Sequence, residues 1–266
     1  MSDDEKVVLI GASVGSILTW GFWYARLFTP KILGKPAKVS SYLGVIPVAA
    51  LFALFFLLRL YSASDVRSSG VYTFFYMVLG AAWIGLFVHV SRWCGIGVRE
   101  DVAERRNSAA AWVIGGAIIG LSFCYAGGNF GDGPGWWVVL FCAGLATGAF
   151  FLEWSMVQLA AGIADQVTID RSIATGIRFA AFLCAIGAVL GRAVSGDWHS
   201  TEATLIDFLR NGWHSFALVA LECVIGKSAA PSPERPGPNI LLCGVIPAFL
   251  YLAVSAVSLY WLGDWR

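Results

Sequence analysis

Two ionisable side chains lie in stretches otherwise built of apolar residues. Glu153 sits in the run 136–160 and Arg178 in the run 173–194. A charge at membrane depth is costly. Such residues pair, face a bundle interior, or line an ion pathway. Glu153 is about seven residues from the end of its run, and Arg178 about five residues into the next. At ~1.5 Å of rise per residue their depths agree to within roughly 3 Å. They are expected to pair, either as a structural ion pair or as a transport or coupling site. Arg92 and Glu222 fall near the ends of the runs 71–94 and 204–227, where snorkelling to the interface accounts for them as well as pairing does. Asp207 and Arg210 are three residues apart, the spacing of a local helical pair.

Other candidates are weaker. Histidines on spanning helices can ligate haem, so His89 and His214 are the residues to watch. They fall at different depths, and the expectation is no cofactor, with haem at His89 or His214 as the alternative. The six cysteines lie within or at the ends of apolar runs without CxxC spacing, as small buried hydrophobes do. Gly131-Asp132-Gly133-Pro134-Gly135 is a turn former without the Lys of a P-loop or the spaced acids of an EF-hand. No Ser-His-Asp, HExxH or CxxC constellation stands in the chain, so intrinsic catalysis and a bound metal are not expected. The net charge of +1 leaves no nucleic-acid footprint.

The elements that must position these residues are transmembrane helices. Hydrophobic residues make up 58% of the chain and charged ones 13%, far from the mix of a soluble domain. A spanning helix needs roughly 20 mostly apolar residues. Eight runs qualify or nearly do: 7–28, 41–61, 71–94, 109–128, 136–160, 173–194, 204–227 and 239–262. The seventh, with Asp207, Arg210, His214 and Glu222, is the least apolar. The acidic start Met1-Ser2-Asp3-Asp4-Glu5 is unlike a cleavable signal.

The runs pair into repeats. Ser64-Asp65, Gly131-Asp132, Gly196-Asp197 and Gly263-Asp264 recur at spacings of 67, 65 and 67 residues. They divide the chain into units of about 7–65, 71–132, 136–197 and 204–264. Shifting the second unit by 65 places Gly97 on Gly162, Val102 on Val167, Arg106 on Arg171, Ala109 on Ala174, and Gly131-Asp132 on Gly196-Asp197. Gly44-Val45-Ile46-Pro47 recurs as Gly244-Val245-Ile246-Pro247, so Pro47 and Pro247 are expected to kink their helices at equivalent depths. Each unit holds two helices, so successive units enter the membrane from the same side as a parallel repeat. The expected fold is an all-α polytopic membrane protein of about eight transmembrane helices in four tandem parallel two-helix repeats. The glycine pairs 11/15, 116/120, 144/148 and 187/191 put small residues on single helix faces for close packing. The four Asp motifs would form a cation-attracting ring if the units surround a common axis. Otherwise they are helix-end turns.

Orientation follows from Lys and Arg in short loops. The loops within units and their flanks carry ten, among them Lys31, Lys35, Lys38, Arg106, Arg171 and Arg235, against five on the opposite side. The within-unit loops are therefore expected to be cytoplasmic and both termini outside.

Asn107-Ser108-Ala109-Ala110, followed by the Gly/Ala-rich span from Trp112 to Gly120, resembles the bacterial inner-membrane family known as domain of unknown function 350, whose members are built from tandem two-helix units. Ser172-Ile173-Ala174-Thr175-Gly176 is a degenerate copy of the motif. The resemblance covers about 71–200 and implies fold and inner-membrane location, with no reaction or substrate to carry over. The leading functional expectation is an integral membrane subunit or scaffold working with partners, in the lipid bilayer, as a homo-oligomer or beside another membrane protein. The alternative is an ion or small-solute channel or transporter using Glu153, Arg178, His214, Asp132 and Asp197. A membrane redox component is the third reading.

Overall fold

A computed structural model describes residues 1–28, 42–232 and 237–263. The chain is a helical membrane protein, with seven helices long and apolar enough to cross a bilayer. In chain order the α-helices are α1 (Asp3–Phe28), α2 (Tyr42–Tyr61), α3 (Ser64–Ser68), α4 (Gly70–Phe87), α5 (Ser108–Gly127), α6 (Trp136–Ala161), α7 (Ile163–Thr168), α8 (Ile173–Ala193), α9 (Thr201–Gly212), α10 (His214–Ser228) and α11 (Ile246–Leu262). A 3-10 turn, Val88–Cys94, prolongs α4, and π turns occupy Val98–Glu104 and Leu241–Val245. Lys31, Lys35, Lys38 and Arg235 of the within-unit loops, and Asp264 of the last Gly-Asp motif, lie outside the described residues.

The bundle is arranged in two rows. The second helices of the units lie side by side, α2 on α5, α5 on α8 and α8 on α11. The first helices form the other row, with α1 on α4, α4 on α2 and α5, α6 on α5 and α8, and α10 on α6 and α8. Among the described residues no comparable packing joins α2 to α11, so the motifs at Asp65, Asp132 and Asp197 are laid along a row.

The centre of the row is the α5–α8 pair. A Cβ added at Gly116 would stand 2.5 Å from Ala180 O, and one at Gly127 only 1.9 Å from Gly191 O. Ala109 faces Gly176 and Gly120 faces Gly187. These partners rise together in number and differ by close to 65, so the two helices run parallel and residues equivalent in the repeat meet each other. That is a local two-fold axis along the helices. The backbones repeat the relation. Arg106 and Arg171, 65 apart, are the two positive-φ non-glycine residues described, at 52° and 53°. The amide of Asn107 donates to Asp101 O, and at the equivalent place Ser172 N donates to Gln166 O, both at 3.0 Å.

Asn107 shows why its motif is there. Its Oδ1 accepts from Ala109 N at 3.0 Å and Ala110 N at 3.3 Å, satisfying two free amides at the start of α5. Its Nδ2 donates to Val167 O at 2.6 Å, tying the second unit to the third. Ser172 caps α8 through Thr175 N at 3.2 Å.

Three expectations change. Of the four glycine pairs, 116/120 and 187/191 make the close approach, whereas Gly11 and Gly148 face open space. Pro47 lies inside α2, but Pro247 stands in the first turn of α11 just after the π turn. The helix runs unbroken from the π turn into α11, and the wider turn accommodates Pro247's missing N–H, a local geometry that α2 does not share at Pro47. The seventh run is two helices broken at Trp213. At ~1.5 Å per residue neither α9 nor α10 alone reaches the ~30 Å of a bilayer core, and together they run the length of the bundle.

Because the α5–α8 contact is backbone on backbone, Gly116→Val is expected to lower stability by about 1–3 kcal/mol or more, read as a lower melting temperature in detergent. Gly148→Ala, with nothing within 4 Å of the new methyl, should leave it unchanged. Equal tolerance at both positions would refute the packing.

Candidate functional site

At one end of the bundle the junctions between units join. Gly196 N donates to Phe130 O at 3.0 Å, Trp198 N to Asp132 O at 2.8 Å, and Asp132 N to Asp197 Oδ1 at 2.8 Å. Gly131 and Gly196 take φ values of 94° and 132°, which favour glycine. Ser62, next to Ser64-Asp65, bridges to Phe130 and Gly131. Three successive Asp motifs are thereby brought to the mouth of one cavity of about 520 Å³. Its carboxylates are Glu5, Asp65, Asp132, Asp197 and Asp207, and no Lys or Arg lines it. Asp207 therefore faces the cavity, and among the described residues the expected Asp207–Arg210 ion pair is not formed. At the opposite end Arg171 Nη2 donates to Arg105 O at 3.2 Å, beside Arg106, so the basic and acidic motifs sit at opposite ends of α5 and α8.

The expected pairing of Glu153 with Arg178 is not what the structure has. Arg178 is fully buried, and its Nε donates to both carboxylate oxygens of Glu222 at 3.1 Å. Its Nη1 donates to Cys243 O at 2.9 Å. Tyr251 OH donates to Glu222 Oε2. Nη2 of Arg178 has no partner. One guanidinium on α8 thus holds α10 and the π turn before α11, and Glu222 is a fully buried partner, not a snorkelling one. Arg92 lies 3.5 Å from Glu100 with both side chains exposed.

Glu153, 1% exposed on α6, faces no guanidinium or ammonium partner. Its Oε1 is hydrogen-bonded to Ser215 Oγ on α10, and its Oε2 has no partner. Depth explains the correction. Arg178 is five residues into its run and Glu222 five residues from the end of its own, at the same face. Glu153 is seven from that face, so the arithmetic that pointed to Glu153 fits Glu222 better. Tyr251 and Ser215 carried no sequence signal of their own. They become visible only once α10 and α11 are packed on α8 and α6.

The histidines are not brought together. His89 packs near Trp23, ring centroids 6.5 Å apart, beside Arg26 and Arg92. His214 stacks on Trp213 at 4.2 Å and places Nδ1 2.9 Å from Asn211 O. No group of three metal-ligating side chains gathers among the described residues.

The family model described as Domain of Unknown Function (DUF350) matches residues 65–194. Over that span the match agrees with the resemblance carried by Asn107-Ser108-Ala109-Ala110. The match covers the second and third units, the two related by the local two-fold, and ends before α9, α10 and α11. No curated protein and no solved structure matches the chain. Of the residues around the buried ionisable groups, Glu153 and Arg178 lie within the DUF350 span, while Ser215, Glu222 and Tyr251 lie outside it.

Removing one partner of a buried ion pair leaves the other charge uncompensated, at a cost of about 3–5 kcal/mol. Glu222→Gln is expected to destabilise by that order, and the double change with Arg178→Gln should recover part of it. Glu153→Gln should not destabilise in this way. Unfolding of the three variants in detergent checks the assignment. A large loss in Glu153→Gln with none in Glu222→Gln would restore the original pairing.

Proposed function

We propose that this protein passes a small cation, or a small solute together with one, across the bilayer. The path runs from the acidic cavity to Glu153, at the break between α9 and α10. The observation that carries the reading is the charge of the cavity. Five carboxylates and no Lys or Arg line an opening at one end of the bundle. Such a mouth concentrates cations and excludes anions. Below it lies a carboxyl group without a cationic partner, on a helix packed against a broken one. That combination is how carriers build ion sites at membrane depth. Asp132 and Asp197 serve at the mouth and Glu153 at depth. Arg178 and Glu222 hold the third and fourth units together. The cavity reaches down to Cys142 and Val194. Cys142 is eleven residues before Glu153, about 16 Å along the helix, so this conformation is closed between the mouth and the carboxyl group.

The orientation we propose puts the acidic mouth and both termini outside and the end bearing Arg106 and Arg171 in the cytoplasm, following the distribution of Lys and Arg. Cysteines introduced at Asp3 and at Arg99 should react differently with an impermeant reagent in intact cells, Asp3 labelled and Arg99 protected. The reverse pattern overturns the orientation.

Purified protein in liposomes, with a cation gradient and a fluorescent reporter, tests the function. Flux above empty liposomes is expected. Asp132→Asn with Asp207→Asn should reduce it by about tenfold at low ionic strength, and less at high salt, because focusing by exposed charges is screened. Folded, reconstituted protein without flux for protons or monovalent cations would return the reading to a non-catalytic membrane subunit. Its partner, a second copy or another membrane protein, would then be sought on the exposed apolar side of α1, where Val7, Ile10, Val14 and Ile17 stand outward.

A further inference from the structure

The geometry points to Glu153 as a proton-binding site. The carboxyl group holds a proton in this conformation, and releasing it is coupled to the break between α9 and α10. The inference rests on the transport reading only for its purpose; the site itself stands on hydrogen-bond geometry.

In a continuous helix the carbonyl of Gly212 would accept from the amide of Phe216, four residues on. Here Phe216 N donates to Trp213 O at 3.0 Å. Gly212 O turns to Ser215 Oγ, 2.6 Å away. The same Ser215 Oγ is also hydrogen-bonded to Glu153 Oε1. A serine hydroxyl has one hydrogen, and a carbonyl oxygen only accepts. Ser215 therefore gives its hydrogen to Gly212 O, and the hydrogen between Ser215 and Glu153 comes from Glu153. The chain reads carboxylic acid to hydroxyl to carbonyl, with every donor used.

The surroundings agree. Ser215 is fully buried and Glu153 1% exposed. The unpartnered Oε2 is tolerable as the carbonyl oxygen of a neutral acid, whereas an ionised carboxylate would demand more donors. Among the described residues no cation on the packed elements is paired with Glu153. On α8 there is Arg178, already bound by Glu222 of α10, with the thiol of Cys184 and, toward the mouth, Arg192 on the carbonyls of Leu262 and Gly263. On α10 there are His214, turned to Asn211 O, the thiol of Cys223 and, in the exposed last turn, Lys227. On α5 there are the thiol of Cys124 and the Tyr125 hydroxyl, which donates to Tyr76 O. On α6 itself there is Cys142. On the extension of α4 there are His89, Arg92 and Cys94, of which Arg92 is exposed and beside Glu100. The acids on the elements packed against α6 are Glu222, held by Arg178, and the exposed Asp165 of α7.

Release is simple to balance. The O–H bond of the acid breaks, water admitted from the acidic mouth takes the proton, and the carboxylate keeps the electron pair. Ser215 must then turn its hydrogen to the carboxylate and abandon Gly212 O. That bare carbonyl at the break favours a rearrangement of α9 against α10. Reprotonation restores the chain.

Infrared difference spectroscopy of the purified full-length protein, with ¹³C-carboxyl glutamate as the label, tests the site without any transport. A protonated-carboxyl band at neutral pH, sensitive to the label, should be present in wild type and missing in Glu153→Gln. The same variant should keep the wild-type melting temperature, because the Gln amide donates to Ser215 as the acid did. Ser215→Ala should shift the band by removing the acid's acceptor, which keeps the test open if Glu153→Gln fails to fold. An unchanged band in both variants, or no band in wild type, overturns the proposal. If the band behaves as expected while liposomes show no proton flux, the proton site stands and the transport reading falls.

Discussion

The distance between two backbones, those of α5 and α8, fixes the rest of the molecule. Inside a bilayer the lipid is as apolar as any side chain, so helices gain little from hiding leucines and much from close contact. Gly116, Gly127, Gly187 and Gly191 remove the side chains that would hold α5 and α8 apart. Equivalent residues of the two units then face one another, and the parallel arrangement follows. So does the alignment of both ends. Arg105 meets Arg171 at one end, and Phe130 meets Gly196 at the other. The carboxylates at the mouth come together because their helices start and stop in register, without any attraction between them.

Chemistry then departs from symmetry. Moving back by 65 residues, Arg178 corresponds to Val113 and Glu153 to Val88, both buried. At these two positions the interface between the second and third units is therefore apolar, while the one between the third and fourth carries the guanidinium, two carboxyl groups and the Tyr251 hydroxyl. A repeat supplies helices of the right length and tilt, and side-chain differences between copies supply a site. The DUF350 match stops at residue 194, so the polar interface is shared between that domain and a fourth unit that the family description does not cover.

Much of this could be read from the sequence. Runs of apolar residues gave the spans, the recurrence of Gly-Asp and Gly-Val-Ile-Pro gave the units, and Asn107 with its alanines gave the family. The pairing of Arg178 was legible in principle, since Glu222 shares its depth. Glu153 competes with it in the sequence because its run is the more apolar, whereas Glu222 stands in a run that also holds Asp207, Arg210 and His214. Ser215 and Tyr251 could not be found this way, because a hydroxyl on a spanning helix is common and its meaning depends on which helix faces it. The break at Trp213 was hidden as well. Trp213 itself has φ −57° and ψ −21°, close to helical values, so no proline marks it. At Phe216 the amide bonds Trp213 O instead of Gly212 O.

That single displaced bond connects stability to function. A spanning helix that gives up an i to i−4 bond must satisfy the freed carbonyl from within the protein, since hydrocarbon offers no donor. Ser215 does so, and being a hydroxyl it can serve one acceptor at a time. Its choice between Gly212 and Glu153 is set by whether the carboxyl group is an acid or an anion. The backbone of α9–α10 and the protonation of α6 therefore belong to one equilibrium. Glu222 sits seven residues further along α10 and, through Arg178 of α8, holds that end firmly to α8 and α11. Any movement driven from Glu153 is then directed into α9, whose middle carries Asp207 at the acidic mouth. A proton bound in the middle of the membrane is in this way joined to the one opening through which a cation would enter.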